Sequence, residues 1–252
     1  MKAIIFGVAN ERSLAWAIAQ NLHQQSFELA FTYGSPNLER RVMPLAESVG
    51  SKIVLPCDVY KNEEMDAVTA KISETWGTLD CLVHSVAMAD RTDLEGRFVD
   101  TSLAGFQLAM NISVYSLLAL TKRFEPMLEK SGNGSVLTLS YYGAQKVVPN
   151  YNVMGVAKAA LESSVRYLAY DLGPKKIRVN AISAGPVKTL AASGIRDFRA
   201  QLEGAGQRTP LRENIDGADV GALAGFLASP AARHITGSTM YVDSGANIMG
   251  SF

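Results

Sequence analysis

Cysteine is scarce in this chain, net charge is absent and long apolar runs are missing. Cys57 and Cys81 are the only cysteines, each beside an apolar strand-like run (Ile53-Val54-Leu55-Pro56 and Leu82-Val83). No disulfide scaffold follows from them, and buried, inert thiols in a reducing compartment are the natural reading. None is needed either, because a compact fold of this length buries somewhat under about 75% of the surface its unfolded chain exposes. Lys and Arg total 24 against 24 Asp and Glu. That balance removes the field that would gather the protein on DNA, RNA or an anionic membrane, so neither a nucleic-acid nor a membrane partner is expected. No window approaches about 18 uninterrupted apolar residues, and Ala3-Ile4-Ile5-Phe6 is too short for a signal peptide's apolar region. These absences predict a cytoplasmic protein. Repeats, low-complexity tracts and Pro- or Ser-rich linkers are also missing, so residues 1–252 read as one domain.

What is present is an alternation. Short β-branched or aliphatic runs near Ala3–Phe6, Glu28–Thr32, Lys52–Pro56, Cys81–Ser85, Ser135–Ser140, Arg178–Ser183 and Thr239–Val242 read as strands. Between them, helical spacing covers Leu14–His23, Leu38–Val49, Glu63–Thr75, Leu103–Glu129, Asn152–Leu172 and Ala218–Ala228, the last halted by Pro230. Strand-helix-strand units with right-handed crossovers give a Rossmann-like α/β fold: a doubly wound parallel seven-stranded sheet with helices on both faces, in a single domain. Thr189 to Arg212 is the exception, with Gly194, Gly204 and Gly206 around a short amphipathic piece, Ile195 to Arg199. It reads as a substrate-binding flap at about 189–212.

The first strand runs into Gly7-Val8-Ala9-Asn10-Glu11-Arg12-Ser13-Leu14-Ala15. A glycine ends the strand and small or hydroxyl side chains open a helix, whose unpaired N–H groups and positive dipole end suit a pyrophosphate. Gly-x-Gly-x-x-Gly is absent, so this turn alone is weak evidence, and Ser13 could equally be an ordinary helix cap. The second strand ends at Tyr33, followed by Gly34-Ser35-Pro36-Asn37, where an acid would read a ribose 2′-hydroxyl and a base a 2′-phosphate. Neither stands at the tip, and Arg40 and Arg41 lie further along the helix, so NAD(H) is favoured over NADPH. Asp58, after the third strand, could accept the adenine amino group or serve its own turn.

Two Tyr/Lys pairs follow the fifth strand. Tyr142 and Lys146 have the Tyr-x3-Lys spacing of ordinary short-chain dehydrogenases, but they directly follow a strand and precede Pro149, which disfavours helix at Val148. Lys146 is therefore assigned to solvent. Tyr151 and Lys158 bracket a helix start with Asn150 or Asn152 as cap, and seven residues advance a helix by about 700°, within about 20° of the same face. A phenol there can donate to a developing oxyanion, and an ammonium can hold nicotinamide ribose hydroxyls.

Taken together, Gly7-x5-Ser13-x-Ala15, Phe31-Thr32-Tyr33, Cys57-Asp58-Val59, Val83-His84-Ser85, Ile112 to Ser116, Leu139-Ser140-Tyr141, Pro149 to Gly155, Lys158 and Arg178 to Ile195 closely resemble the bacterial type II enoyl-[acyl-carrier-protein] reductases. These are divergent short-chain dehydrogenases with Tyr-x6-Lys, and the resemblance spans essentially the whole chain. It implies an NADH-dependent reduction of the trans-2 double bond of enoyl-acyl-carrier-protein thioesters in fatty acid elongation. It implies that Tyr151 donates to the thioester carbonyl, that Lys158 binds the ribose, and that Tyr141 assists near the carbonyl or the proton path. Matching residues imply dinucleotide contacts at Gly7, Ser13, Leu14, Gly34, Asp58, Val59 and Val86, and at Val187, Lys188, Thr189, Leu190 and Ala191. Ala89 falls where the backbone meets substrate, and Met154, Leu190, Ile195 and Phe198 could line the acyl slot. The resemblance further implies a homotetramer and a structural role for His84. Met88 replaces a commonly aromatic residue, and Asn111 stands where the family often has Asp. A ketoreductase or alcohol dehydrogenase of the same fold, or a dinucleotide-sensing protein without chemistry, are the alternatives.

Overall fold

In the computed structural model of the chain, residues 1–189, 204 and 206–250 are described. Strands β1 (Lys2–Phe6), β2 (Glu28–Tyr33), β3 (Ile53–Pro56), β4 (Cys81–His84), β5 (Ser135–Ser140), β6 (Arg178–Ala184) and β7 (Thr239–Val242) form one sheet in the order β3-β2-β1-β4-β5-β6-β7. Every pairing is parallel, as in Ile4 against Ala30 on one side of β1 and against Leu82 on the other. The order reverses between β1 and β4, which puts a crevice beyond the carboxyl ends of those strands.

Alternation along each strand feeds two cores. Ile4, Phe6, Leu82 and Val136 face one layer, made of α3 (Asn62–Trp76), α5 (Ser116–Ser131) and α6 (Asn152–Leu172). Ala3, Ile5, Val83 and Leu137 face the other, made of α1 (Leu14–Gln24), α2 (Pro36–Ser48) and the C-terminal helix (Gly217–Ala228). Both faces of the sheet are covered, which is why its strands read as continuous apolar runs. The C-terminal helix begins where Asp216 and Asp219 form a reciprocal capping box.

One expected element divides. Leu103–Glu129 is not a single regular helix: α4 (Leu103–Met110) passes into a π-helical turn at Asn111–Tyr115 before α5 begins. The cause is tertiary. Within the turn, Ser113 Oγ receives a hydrogen bond from Met88 N (3.1 Å); just after it, at the start of α5, Ser116 Oγ donates back to Ile112 O (2.6 Å) and bonds the His84 ring (2.7 Å). The 29 residues Leu103–Ser131 are long and apolar enough to cross a bilayer by composition alone. In the fold, however, Leu117, Leu120, Phe124 and Leu128 are fully buried against the sheet.

Candidate active site

The residues expected at the dinucleotide gather along one edge of the sheet. Gly7 follows β1, Gly34 follows β2, Asp58 and Val59 follow β3, Val86 follows β4 and Val187-Lys188-Thr189 follow β6. Gly7 is demanded by the fold itself: its φ of 103° suits glycine, and a Cβ there would lie 2.0 Å from Ser85 O. The ends of β1 and β4 thus meet closely at the crevice. Ser13 occupies the N-cap position of α1, yet it is not the side-chain cap the ordinary reading requires, since its hydroxyl donates to Asn10 O at 2.7 Å. The helix therefore starts without a side-chain cap, leaving N–H groups of its first turn for an anion.

At the end of β2, burial and then a hydrogen bond to Glu39 raise the Tyr33 pKa. Glu39 thus brings a carboxylate from the first turn of α2 to the strand tip, while Arg40 and Arg41 are exposed. Asp58 serves its own turn through Oδ1, which accepts from Tyr60 N (3.0 Å), a role compatible with a second one at the cofactor, while its own N–H donates to Glu64 (2.6 Å). Leu190, Ala191, Ile195 and Phe198, and most of the expected flap, lie outside the described residues.

The reactive half is built around the start of α6. The sequence predicts Asn150 or Asn152 as the helix cap, and neither takes that place: both adopt left-handed backbone (φ 62° and 35°) on either side of Tyr151, which sits at the N-cap position. Asn tolerates that conformation better than most residues. The Asn152 amide instead donates to Leu94 O and Gly96 O, 3.3 Å each, tying the helix entrance to the loop after β4. Tyr151 is driven inward, where its ring meets Tyr141 edge-on with centroids 4.9 Å apart. The 3-10 turn Tyr142–Ala144 packs closely on this pair: a Cβ on Gly143 would come within 2.5 Å of the Tyr151 ring. Gly155 leaves the matching space on α6, where a Cβ would come within 2.9 Å of Gly143 O.

Burial pushes the Tyr151 phenol well above its ordinary pKa, with Tyr141 adding to the effect, so it is a neutral donor. Lys158 is also buried, and its Nζ donates to Leu139 O at 2.8 Å. Its pKa is lowered to about 8, mainly by burial and against the pull of Glu162. Tyr142 and Lys146 are not brought together in this way: Lys146 is exposed, and only its backbone N–H returns to Tyr142 O (3.1 Å). His84 is fully enclosed, with Nδ1 2.9 Å from Thr138 Oγ1 and Nε2 2.7 Å from Ser116 Oγ. Burial, then the Lys158 charge, holds its pKa down to about 3, leaving a neutral ring that braces β4 against β5 and the start of α5. Met154 packs beneath Tyr151 in an apolar cluster with Val153 and Ala109, joined by Ala89 and Tyr141. Met88 is exposed beside it. A cleft of about 290 Å³ opens beyond β5 and β6, walled by Tyr141, Val148, Pro149, Gly185 and Ile215. Ile215 carries no local signal, because it arrives from a loop far along the chain.

A family model described as enoyl-(acyl carrier protein) reductase matches residues 7–247. The chain belongs to this family. Among its similar members is the enoyl-[acyl-carrier-protein] reductase [NADH] FabI of Aquifex aeolicus, 52% identical over 100% of this chain and 93% of that protein. A crystal structure of the reductase from Anaplasma phagocytophilum, in complex with NAD, matches with a TM-score of 0.95 at 52% identity, covering 99% of this chain and 95% of that one. The Bacillus cereus reductase with NADP+ and an indole naphthyridinone matches with a TM-score of 0.96 at 48% identity, covering 99% and 97%. Gly143 and Gly155 are packing requirements of the site that side-chain chemistry does not reveal. Gly155 closes the Pro149 to Gly155 motif, whereas Gly143 stands outside the motifs and is marked by the structure alone.

Proposed function

We infer that the chain reduces the trans-2 double bond of enoyl thioesters carried on acyl-carrier protein, using NADH. The observation that carries this reading is the buried pair on α6, Tyr151 against Tyr141 and Lys158 against Leu139 O, beside the crevice of a doubly wound sheet. The uncapped α1 N-terminus, the close-set Gly7 and the Glu39 carboxylate beside Tyr33 fit an unphosphorylated dinucleotide. When bound, NADH supplies hydride to the substrate β-carbon, and the double-bond electron pair moves onto the thioester oxygen as an enolate.

The chain's own residues do the rest. Tyr151, kept neutral by burial, donates a hydrogen bond to the oxygen on which negative charge develops, an arrangement effective in a water-poor site. Tyr141 assists beside it while a proton is delivered to the α-carbon. Lys158 has committed one ammonium hydrogen to Leu139 O, which leaves two for the nicotinamide ribose hydroxyls. Gly7, Ser13 and Leu14 serve the pyrophosphate; Gly34, Asp58 and Val59 the adenosine; Val86 and Val187 to Ala191 the nicotinamide end. Ala89, Met154, Ile195 and Phe198 receive the acyl chain.

Incubation with a crotonyl thioester, following nicotinamide absorbance with NADH and NADPH in parallel, tests the reading. Oxidation of NADH faster than NADPH is expected. Turnover of a 3-oxoacyl thioester alone would assign a ketoreductase, and NADH binding without enoyl turnover a sensor.

The same reading includes a homotetramer, for which exposed Tyr115, Tyr167 and Tyr170 on α5's approach and α6 offer contact surface. Light scattering at four chain masses is the expected result. A cytoplasmic location accords with two free, buried thiols whose pKa values burial pushes up to about 12.

A further inference from the structure

Glu162 is a carboxylate buried in the helix layer, and none of the roles above uses it. A buried carboxylate needs partners, since an unpaired one is strongly disfavoured. It has one in Ser140, whose Oγ donates to its Oε1, and it lies one helical turn beyond Lys158 on α6. Ser140 directly follows Leu139, the residue whose carbonyl receives Lys158 Nζ. Strand β5 and helix α6 are therefore fastened twice at one level, through Leu139 to Lys158 and through Ser140 to Glu162.

We propose that Glu162, held by Ser140 one helical turn from Lys158 and beyond ion-pair distance, is the positioning residue for Lys158: its carboxylate is the counter-charge that keeps the ammonium charged on Leu139 O at the cofactor edge. The proposal rests on the reading of Lys158 as ribose anchor. Burial works against the charge on Lys158, and Glu162 works for it. The other titratable groups around this level supply no second counter-charge at neutral pH. His84 from β4 is neutral and feels the Lys158 charge; Tyr141 from β5 and Tyr151 from α6 are neutral phenols; Tyr241 from β7, raised by burial and by Glu162, is a third. Asp243, beyond β7, acts on Tyr241 and accepts from Gly245 N (3.0 Å) and Asn247 N (2.8 Å). The buried polar side chains of the π turn and the start of α5 are the hydroxyls Ser113 and Ser116.

The test is NADH affinity by fluorescence titration of the full chain between about pH 6 and pH 9, with circular dichroism to verify folding. In the unaltered enzyme, affinity should fall as pH rises through about 8, where Lys158 loses its proton. In Glu162→Gln that fall should move about one unit lower, so that binding is near normal at pH 6 and about fivefold weaker at pH 8, following the protonated fraction. Ser140→Ala should shift it in the same direction by less, and Glu162→Asp should restore part of the loss. A fall at unchanged pH in Glu162→Gln, or an equal loss at every pH, overturns the proposal. If Glu162→Gln does not fold, an unmoved fall in both Ser140→Ala and Glu162→Asp overturns it. Failure of the underlying reading looks different: Lys158→Met would then bind NADH as well as the unaltered enzyme, and the proposal would go with it.

Discussion

Tyr142 and Lys146 occupy a 3-10 turn and its exposed exit, whereas Tyr151 and Lys158 are both buried along the first two turns of α6. The two pairs carry the same functional groups and leave the same strand. What separates them is backbone. Pro149 and the left-handed Asn150 and Asn152 delay the helix until Tyr151, so the longer spacing becomes the one with a common face. Burial then makes the chemistry, giving a phenol that stays neutral and an amine whose pKa falls to about 8. A motif's spacing has meaning only on the element that realises it.

That contrast can be broken most forcefully at the hydroxyl. Tyr151→Phe is expected to lower turnover on a crotonyl thioester by about 10²–10³-fold, the usual cost of one oxyanion donor, with the NADH dissociation constant within about twofold of normal. Tyr142→Phe should stay within about threefold on both measures; equal losses from the two variants would erase the distinction. Next in size is the amine. Lys158→Ala removes charge-assisted hydrogen bonds worth about 1.5–3 kcal/mol, so NADH should bind about 10- to 100-fold more weakly, while Lys146→Ala should leave affinity unchanged by titration calorimetry.

The packing that separates the pairs can be tested at Gly143. An added Cβ would lie 2.5 Å from the Tyr151 ring, so Gly143→Ala should cost about 1–3 kcal/mol in denaturant unfolding and lower turnover by displacing the phenol. Glycine to alanine at the exposed Gly50, where nothing lies within 4 Å but φ is 68°, would show backbone strain alone and no loss of turnover. The brace behind the inner pair has no effect on turnover to read at neutral pH and is tested through stability at low pH. His84 has its folded pKa lowered from 6.5 to about 3, so the unfolded chain takes up the proton first as pH falls. Its contribution is fully present above about pH 6.5 and is lost on the way down to about pH 3, at up to about 1.4 kcal/mol per unit. The slope of unfolding free energy against pH in that window should flatten in His84→Asn. An unchanged slope would mean that the ring titrates normally.

Much of this was legible in the chain. The seven strands were marked by short aliphatic runs because both sheet faces are covered, and their observed ends fall within a residue or so of the expected ones. Tyr151 and Lys158 were legible because helical periodicity is local. The π turn, the left-handed Asn152 and the Ser140–Glu162 contact were not, since each depends on a partner distant in sequence: Met88 for the turn, Leu94 and Gly96 for Asn152, β5 for Glu162. The uncapped α1 was hidden for a local reason, the choice of the Ser13 hydroxyl to donate back to Asn10 O. Glu39 escaped notice for a smaller reason. It lies six residues past Tyr33, and only the start of α2 folds it back onto the strand end.

The most direct measurement is a crystal structure with NADH and an enoyl thioester analogue bound. The inner pair should show the Tyr151 hydroxyl about 2.7–3.0 Å from the thioester oxygen and the Lys158 amine within hydrogen-bonding reach of the ribose hydroxyls. A Tyr151 hydroxyl turned away from the acyl group, with another side chain on its oxygen, would contradict the account.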